Sequence, residues 1–461
     1  MRRSNKILGI VIVSYFMIVL DISIVITALP KIQQSLAFST TGLSWVQNAY
    51  TLSFGGLLLL GARAGDVLGR RRLFRIGLTC FTGASLAIGL APTAATLLVA
   101  RVLQGISAAC LAPASLALLS TTFPDGAERN RAVSWYAAAA GVGGMVGLVL
   151  GGLFAGSFSW RLGFLVNVPV GIALLMAARG VLIETERQPG HFDVAGALSS
   201  TLGMTALVYG IVRAADSGWG DRATLVSLSV GALMLAAFVW VEARARQPIL
   251  PLRLFASRAR SGAYAARLLY LGGMMSFWFF STQYLQQVLD FEPLRAGLAF
   301  LPMSAVNLVA TLLLSRFIGR FGVARVLAGG VALTLCGMAW LARVSMDSSY
   351  LLSVALPFVL IGAGQGCTLG PLTVTGIAGV PPQDNGAASG LVNVAHQVGG
   401  ALGVAALVVV FSAANGDGAL EGRALLAHRI TAALTGSTVL LAVALILVVT
   451  LVVRPRRLDR N

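Results

Sequence analysis

Charged residues are scarce in this sequence, and acidic residues are the scarcest. Only 11% of the 461 residues are Asp, Glu, Lys or Arg, whereas an ordinary soluble domain has about 25%. Hydrophobic residues make up 57% of the chain, so a soluble globular fold is not expected. The 34 basic residues outnumber the 17 acidic ones, which on a soluble protein would indicate a nucleic-acid partner. On a membrane protein the same excess marks cytoplasmic loops, and we expect no nucleic-acid partner.

Cysteine pairs and catalytic motifs are missing as well. The four cysteines lie in apolar stretches without CxxC spacing, so the sequence predicts neither a disulfide framework nor a zinc site. It contains no nucleotide-binding loop and no HExxH or GxSxG motif, and its loops are too short for a soluble catalytic domain. We therefore expect no enzymatic activity, no metal and no cofactor.

Long apolar stretches are what the sequence has in abundance. Fourteen of them reach about 20 residues, the length that crosses a bilayer core of roughly 30 Å at a rise of 1.5 Å per residue. They begin near Leu8, Leu43, Leu73, Thr96, Ala132, Leu162, Val194, Ala223, Gly262, Ala296, Val326, Leu351, Ala387 and Ile430. The sequence therefore predicts an all-α polytopic membrane protein, whose membrane-spanning segments we number spans 1 to 14.

The positions of the arginines predict how these spans are oriented. Cytoplasmic loops retain positive charge, and most Lys and Arg residues fall in loops on the inner side if the N-terminus is cytoplasmic. We therefore expect a multi-pass protein of the bacterial cytoplasmic (inner) membrane with both termini in the cytoplasm.

Internal repetition predicts two related halves. One constant shift along the chain carries Arg63, Gly69 and Arg72, which follow span 2, onto Arg316, Gly322 and Arg325, which follow span 10. The same shift carries span 1 onto span 9. We therefore expect three parts: an N-terminal six-helix half at 1–188, two linker transmembrane helices with a cytoplasmic loop at 189–260, and a C-terminal six-helix half at 261–461.

Five segments carry a resemblance to a known family. They are GARAGDVLGRRRLF (Gly61–Phe74), ARVLQGISAA (Ala100–Ala109), GGMVGLVLGG (Gly143–Gly152), LDISIVITALP (Leu20–Pro30) and WRLGFLVNVPVG (Trp160–Gly171). The chain resembles the major facilitator superfamily, and in particular its fourteen-helix drug:proton antiporter branch of multidrug and antibiotic efflux permeases. This resemblance implies two six-helix halves with two inserted linker helices.

The segment after span 2 resembles the loop signature of that family. Gly65 and Gly69 permit a tight turn, and Asp66 can make charge-assisted contacts with neighbouring arginines such as Arg70 and Arg71. The resemblance implies that these five residues form a conformational latch. A solvated, positively charged loop is the alternative.

Small residues recur along one face of span 5. Gly143, Gly147 and Gly151 are spaced four residues apart, which permits close approach of another helix. The family usually has Pro where this chain has Leu148, within its antiporter signature. Simple helix packing and a sliding interface between the halves are both compatible with the glycines.

Asp21 is the acidic residue placed deepest in an apolar span. A charge at that depth is costly and by default indicates an ion or proton pathway. Counting 1.5 Å per residue from opposite membrane edges places Asp21 in span 1 and Arg101 in span 4 at a similar level. We therefore predict that Asp21 and Arg101 couple transport to protons. A permanent structural ion pair between the two spans is the alternative.

Polar and aromatic residues in both halves are candidates to line a substrate cavity. They are Asn48, Tyr50, Phe279, Gln283, Asn307 and His396. Largely apolar pockets with few polar groups suit hydrophobic ligands. His396 is also titratable, although a single histidine in a helix is more often a hydrogen-bonded structural residue.

Taken with the resemblance, these residues predict a proton-coupled antiporter that exports hydrophobic small molecules by alternating access. The expected partners are the hydrophobic substrate, protons and the lipid bilayer, and we expect a monomer. A proton-coupled solute importer is the main alternative, because it would use the same architecture and the same Asp21. A membrane-embedded sensor or enzyme is a remote one.

Overall fold

The chain folds into helices throughout the part that the structure describes. This computed structural model describes residues 3–39, 41–123, 127–182, 184, 194–244, 251–381, 384–415 and 420–453. Every regular element in these ranges is helical, as apolar segments in a bilayer require, because a helix satisfies its own backbone hydrogen bonds. The prediction of an all-α polytopic fold is confirmed.

The helices follow the predicted spans closely. The first seven are α1 (Arg3–Leu36), α2 (Trp45–Leu68), α3 (Arg70–Gly89), α4 (Ala94–Thr122), α5 (Ala127–Ser157), α6 (Trp160–Leu165) and α7 (Asn167–Val181). They are followed by α8 (Val194–Ser217), α9 (Arg222–Arg244), α10 (Arg258–Gln283), α11 (Pro293–Ala299), α12 (Leu301–Phe321) and α13 (Val323–Leu341). The last four are α14 (Leu356–Gly366), α15 (Leu369–Ile377), α16 (Asn385–Ala413) and α17 (Gly422–Leu447).

Short helical turns of other types extend these elements. Two 3₁₀ segments, Gly42–Ser44 and Leu252–Ala256, precede α2 and α10. Three π segments, Tyr284–Val288, Leu351–Ala355 and Val448–Val453, follow α10, precede α14 and follow α17.

Among the described residues, 11 helical segments are long and apolar enough to cross a membrane. The other three predicted spans are helical too: α2 has 24 residues, α3 has 20 and α10 has 26. Each of these three carries several charged residues near one end. They are nevertheless long enough to span about 30 Å of hydrocarbon.

In three of the predicted spans the helix breaks, and a proline lies a few residues after each break. Span 6 is divided between α6 and α7, span 10 between α11 and α12, and span 12 between α14 and α15. Pro169, Pro302 and Pro371 lie in the first turns of α7, α12 and α15. Proline lacks an N–H and is tolerated in the first turn of a helix, whereas it breaks the interior.

The chain divides into two compact units. The first comprises residues 1–201 with 291–298, and the second comprises 202–290 with 299–461. In the first unit α1 packs along α5, and α4 packs against α2 and α3. In the second unit α10 packs against α16 and α17, and α14 packs against α12 and α13. The three-part division of the sequence stays a prediction.

Candidate functional site

The candidate site is built around Asp21 in the middle of α1. The side chain of Asp21 is fully buried, and the helix residues on both sides of it are mostly apolar. A buried carboxylate is tolerated only when it is paired and hydrogen-bonded. The other helices of the first unit supply the groups that meet this requirement.

Three side chains donate hydrogen bonds to the Asp21 carboxylate. Nη1 of Arg101 in α4 lies 2.9 Å from Oδ2, and Nε2 of Gln104 lies 2.9 Å from Oδ1. Nδ2 of Asn167, the first residue of α7, donates to the same Oδ1 over 2.8 Å. When the carboxylate is ionised, such bonds are charge-assisted and belong to the stronger class of protein hydrogen bond.

Arg101 is itself fixed from several sides. Its Nε donates to the carbonyl of Val46 over 3.0 Å, and its Nη1 also donates to Oε1 of Gln104 over 2.6 Å. The guanidinium carbon lies 4.5 Å from the centre of the Tyr50 ring, a distance at which a cation is attracted to an aromatic face. The arginine therefore links α4 to α2 as well as to α1.

Ser85 of α3 completes the network. Its Oγ accepts hydrogen bonds from Nε2 of Gln104 over 2.9 Å and from Nδ2 of Asn167 over 3.4 Å. We call Asp21, Ser85, Arg101, Gln104 and Asn167 the Asp21 network. It joins α1, α3, α4 and α7 in the buried interior of the first unit.

Sequence reasoning found two of these five residues and missed three. The structure brings Asp21 and Arg101 into direct contact, and their part in proton coupling stays a prediction. Gln104 and Asn167 lie within the segments Ala100–Ala109 and Trp160–Gly171 that carry the family resemblance. An amide inside an apolar span was the signal available for both.

The glycines of α5 lie against α1 beside Asp21. A Cβ on Gly147 would lie 2.6 Å from the Cβ of Ser23 and 2.8 Å from the carbonyl oxygen of Leu20. Gly143 approaches Phe16 in the same way, and Gly151 approaches Ile24 and Thr27. The two helices are therefore in near-backbone contact on both sides of the residue that carries the buried charge.

Polar atoms of α2 are buried close to the Asp21 network. Oε1 of Gln47, Nδ2 of Asn48 and the hydroxyl of Tyr50 have no hydrogen-bond partner among the described residues. Buried polar groups without a partner are uncommon and call for an explanation such as a bound ligand or water. Asn48 and Tyr50 are the two cavity candidates that belong to the first unit.

The other four cavity candidates belong to the second unit. Phe279 and Gln283 are buried in α10, and Nε2 of Gln283 donates to the Phe279 carbonyl over 3.3 Å. Asn307 is half-buried in α12, where its Oδ1 accepts from Thr311 over 3.4 Å. A cavity shared by all six candidates stays a prediction.

His396 in α16 contacts a buried arginine that sequence reasoning had not connected with it. Nδ1 of His396 lies 3.3 Å from Nη2 of Arg267 in α10. Nη1 of the same arginine donates to Oγ1 of Thr373 over 2.9 Å. The imidazole therefore takes part in a hydrogen-bonded cluster of the second unit.

The predicted latch region lies where α2 ends and α3 begins. Gly65 is buried near the end of α2, and Gly69 joins the two helices with a φ of 101° that favours glycine. Arg70 and Arg71 are the first two residues of α3. The side chain of Asp66 lies outside the part of the chain that the structure describes.

Glu184, which follows α7, is an acidic partner that the sequence did not reveal. Its carboxylate accepts the backbone N–H groups of Arg71 over 3.0 Å and Arg72 over 3.2 Å. A Cβ on Gly69 would lie 2.6 Å from the carboxyl carbon of Glu184. Glu184 therefore satisfies the free N–H groups at the start of α3, and only glycine leaves room for it.

Solved transporter structures share this fold. The crystal structure of a peptide transporter POT in complex with sulfate has a TM-score of 0.70 at 13% sequence identity and covers 98% of this chain and 94% of that chain. The crystal structure of a D-xylose-proton symporter has a TM-score of 0.69 at 14% identity and covers 97% of this chain and 98% of that chain. At such low identity the likeness shows the fold alone.

Relatives with much higher identity include bacterial export and resistance proteins. The cephamycin export protein CmcT of Amycolatopsis lactamdurans is 42% identical over 94% of this chain and 90% of its own length. The puromycin resistance protein pur8 of Streptomyces alboniger is 41% identical over 88% of this chain and 82% of its own length. The tetracenomycin C resistance and export protein of Streptomyces glaucescens is 35% identical over 88% of this chain and 76% of its own length.

The family itself follows from a match that covers most of the chain. Residues 11–404 match the model of the Major Facilitator Superfamily. Together with the helical spans and the solved structures of the same fold, this match confirms the resemblance noted in the sequence. The chain therefore belongs to the Major Facilitator Superfamily, and it is a membrane transporter rather than an enzyme.

Proposed function

We propose that the protein is a proton-coupled antiporter that exports a hydrophobic small molecule, such as a drug or an antibiotic, across the bacterial cytoplasmic membrane. The observation that carries this proposal is the fully buried Asp21 and its contact with Arg101. An ionisable side chain within a membrane-spanning helix by default indicates an ion or proton pathway.

Proton uptake by Asp21 changes the balance of the Asp21 network. The ionised carboxylate neutralises Arg101 and accepts three N–H donors. Once Asp21 is protonated, Arg101 is a buried cation without its counter-charge, and loss of one partner of a buried pair costs about 3–5 kcal/mol. The protonated site therefore favours a different arrangement of α1 and α4, and release of the proton restores the pair. Two such arrangements are what alternating access requires.

The packing of α5 against α1 can transmit the protonation of Asp21 into a movement of these two helices. Gly147 touches the backbone of α1 next to Asp21, so a shift of α1 acts directly on α5. Gly143 and Gly151 keep the α5 side of this contact free of side chains over two further turns. We assign the glycine face of α5 the role of a surface along which α1 moves.

The substrate class follows from the relatives and from the unpartnered polar atoms of α2. The names of three relatives include cephamycin, puromycin and tetracenomycin C, and we propose an antibiotic-like molecule for this chain. Gln47, Asn48 and Tyr50 supply polar atoms without a protein partner. We propose that these atoms, with Phe279, Gln283, Asn307 and His396, contact the substrate or the water around it.

We further propose that the protein is a monomer and that both of its termini lie in the cytoplasm. The connection between α8 and α9 then faces outside, and the segment before α10 faces inside. Cysteines introduced at Gly220 and at Ala256, both exposed, test this in a chain whose native cysteines are replaced by Ser. A membrane-impermeant thiol reagent added to intact cells should label only the first, and labelling of the second would overturn the orientation.

A proton-coupled importer is the second candidate, since a D-xylose-proton symporter has the same fold. The names of the relatives favour export. Cells that express the protein should accumulate less of a fluorescent hydrophobic cation than control cells, and a protonophore should abolish the difference. Higher accumulation on expression would instead establish import.

A further inference from the structure

A groove on the surface of the first unit has an unusual concentration of arginine. It lies between the start of α3 and the end of α7 and has a volume of about 750 Å³. Arg71, Arg72 and Arg75 of α3 and Arg179 of α7 line it, together with Glu184. Among the lining residues that the structure describes, four arginines thus meet one carboxylate, an excess of three positive charges.

The single carboxylate is already engaged by the backbone. Both oxygens of Glu184 accept N–H groups of α3, from Arg71 and Arg72. Nη2 of Arg71 donates to the carbonyl of Arg179 over 3.4 Å, which holds the two sides of the groove together. The arginines that the structure describes in the groove therefore carry more positive charge than Glu184 balances.

The groove becomes apolar along α3. Ile76 and Cys80 line it beyond the arginines, and both are exposed, while Leu175 of α7 lines the opposite side. Arg72, Ile76 and Cys80 are spaced four residues apart and share one helix face. The eight steps of helical rise from Arg72 to Cys80 cover about 12 Å along the helix axis, which is enough to pass from the headgroup layer into the hydrocarbon.

We propose that this groove binds a phospholipid with an anionic headgroup. The phosphate contacts the arginines, and an acyl chain lies along Ile76, Cys80 and Leu175. Charge complementarity and the polar-to-apolar gradient both fit an anionic lipid, because basic pockets between transmembrane helices attract acidic headgroups. A soluble anion would use the arginines and leave the apolar part without a role.

The bound lipid would join two helices that contribute to the Asp21 network. Ser85 lies further along α3 and Asn167 begins α7. Lipid binding in this groove does not depend on proton coupling or on the direction of transport. A negative result here would therefore leave the proposed function untouched.

Binding of purified full-length protein to phosphatidylglycerol and to phosphatidylcholine, measured by native mass spectrometry, tests the headgroup contact. The wild type should prefer phosphatidylglycerol by roughly tenfold or more, and the triple variant Arg72→Gln, Arg75→Gln, Arg179→Gln should lose that preference. The matched control Arg316→Gln, Arg320→Gln, Arg325→Gln removes the same charge from exposed positions of α12 and α13 and should keep it. Equal preference in both triple variants, or equally tight binding of inorganic phosphate, would overturn the proposal.

A second measurement tests the acyl-chain contact without altering the arginines. Cys80 and Cys336 are both exposed thiols, and each can be left as the single cysteine for a fluorophore. Phosphatidylglycerol with brominated acyl chains should quench the probe at Cys80 more than brominated phosphatidylcholine does. The two lipids should quench the probe at Cys336 equally. Equal quenching at Cys80 would contradict the proposal.

Discussion

Gly147 of α5 lies so close to Ser23 of α1 that a Cβ on the glycine would be only 2.6 Å from the serine Cβ. Real Cβ atoms do not approach each other this closely, so the contact exists only because residue 147 is glycine. The neighbouring Gly144 differs, since a Cβ there would lie 3.8 Å from Oγ of Ser23, an ordinary van der Waals distance. This pair of glycines offers a matched test of the helix contact.

We expect Gly147→Ala to separate α1 from α5 and to lower export strongly. Overpacking of a tight contact typically costs about 1–3 kcal/mol, so the melting temperature should fall as well. Gly144→Ala should leave melting temperature and export near wild type. Export assays in cells and thermal unfolding of the purified variants measure both effects. Equal behaviour of the two variants would show that the close contact has no functional role.

The buried ion pair predicts an unusual rescue. Arg101→Ala leaves the Asp21 carboxylate buried without its counter-charge and should destabilise the protein by about 3–5 kcal/mol. The double variant Arg101→Ala, Asp21→Asn removes both charges, so it should be more stable than Arg101→Ala alone. Thermal unfolding of the single and double variants measures the difference. A double variant less stable than Arg101→Ala would contradict the pairing.

A half-buried ion pair at the connection between α8 and α9 predicts an acid-dependent effect. Asp221, between α8 and α9, accepts Nε of Arg213 over 2.6 Å and the backbone N–H of Thr224 over 3.0 Å. The hydrogen bond from Arg213 is the largest cause that lowers the Asp221 pKa to about 2. Because the folded pKa is lower than the unfolded one, the contribution of Asp221 to stability is full at neutral pH. It is lost as the pH falls from about 4 towards 2.

Hydrogen exchange at the start of α9 measures this loss. The readout is protection, the exchange rate relative to the intrinsic rate of the same amide at each pH. In the wild type, protection should fall across that acidic range as Asp221 takes up its proton. Asp221→Asn should be less protected at neutral pH and show little further loss of protection on acidification. Wild-type protection that is constant between pH 4 and 2 would show that the ion pair does not hold the connection.

The sequence predicted the spans well because the signal for each is local. A stretch of about 20 apolar residues is readable without knowing its neighbours, and each of α1 to α17 overlaps one of the fourteen stretches. The breaks at Val166 and Phe300 were not predicted. A proline in an apolar stretch is compatible with either a kink or a new helix start.

The candidate site was predicted only in part, because it is assembled from residues that lie far apart in the sequence. Asp21 and Arg101 stood out because a charge in an apolar span is rare and costly. Gln104, Asn167 and Ser85 are uncharged, so nothing in one sequence showed that they converge on Asp21. Glu184 lies 113 positions from Arg71 along the chain, and only the packing of α7 on α3 brings the two together.

One deep carboxylate predicts one proton per exported molecule. Glu242 is also buried, but it lies two residues from the end of α9 and so near a membrane edge. Nδ1 of His396 faces the guanidinium of Arg267, so its lone pair is occupied while that contact lasts. Exchange of one proton for a monocation is electroneutral. Exchange of one proton for a dication moves one net positive charge outward, at a cost of about 2.3 kcal/mol per 100 mV of inside-negative potential.

Proteoliposomes with a fixed pH gradient and a potassium-diffusion potential of either sign test the stoichiometry. Transport of a monocation should depend little on the sign of the potential, and transport of a dication should depend strongly on it. A monocation whose export accelerates strongly when the cytoplasmic side is made negative would indicate more than one proton per cycle.

We propose that Asp21 carries the exchanged proton, and the Asp21→Asn variant separates this role from a purely structural one. Asn keeps the shape of the side chain and its contact with Arg101 but cannot exchange a proton. The measurement is proton movement, followed with a pH-sensitive dye inside proteoliposomes when substrate is added. We predict that substrate drives proton movement through the wild type, and that Asp21→Asn still folds and binds substrate without moving protons. Substrate-driven proton movement at the wild-type rate in Asp21→Asn would show that the Asp21–Arg101 pair is structural and that the coupling site lies elsewhere.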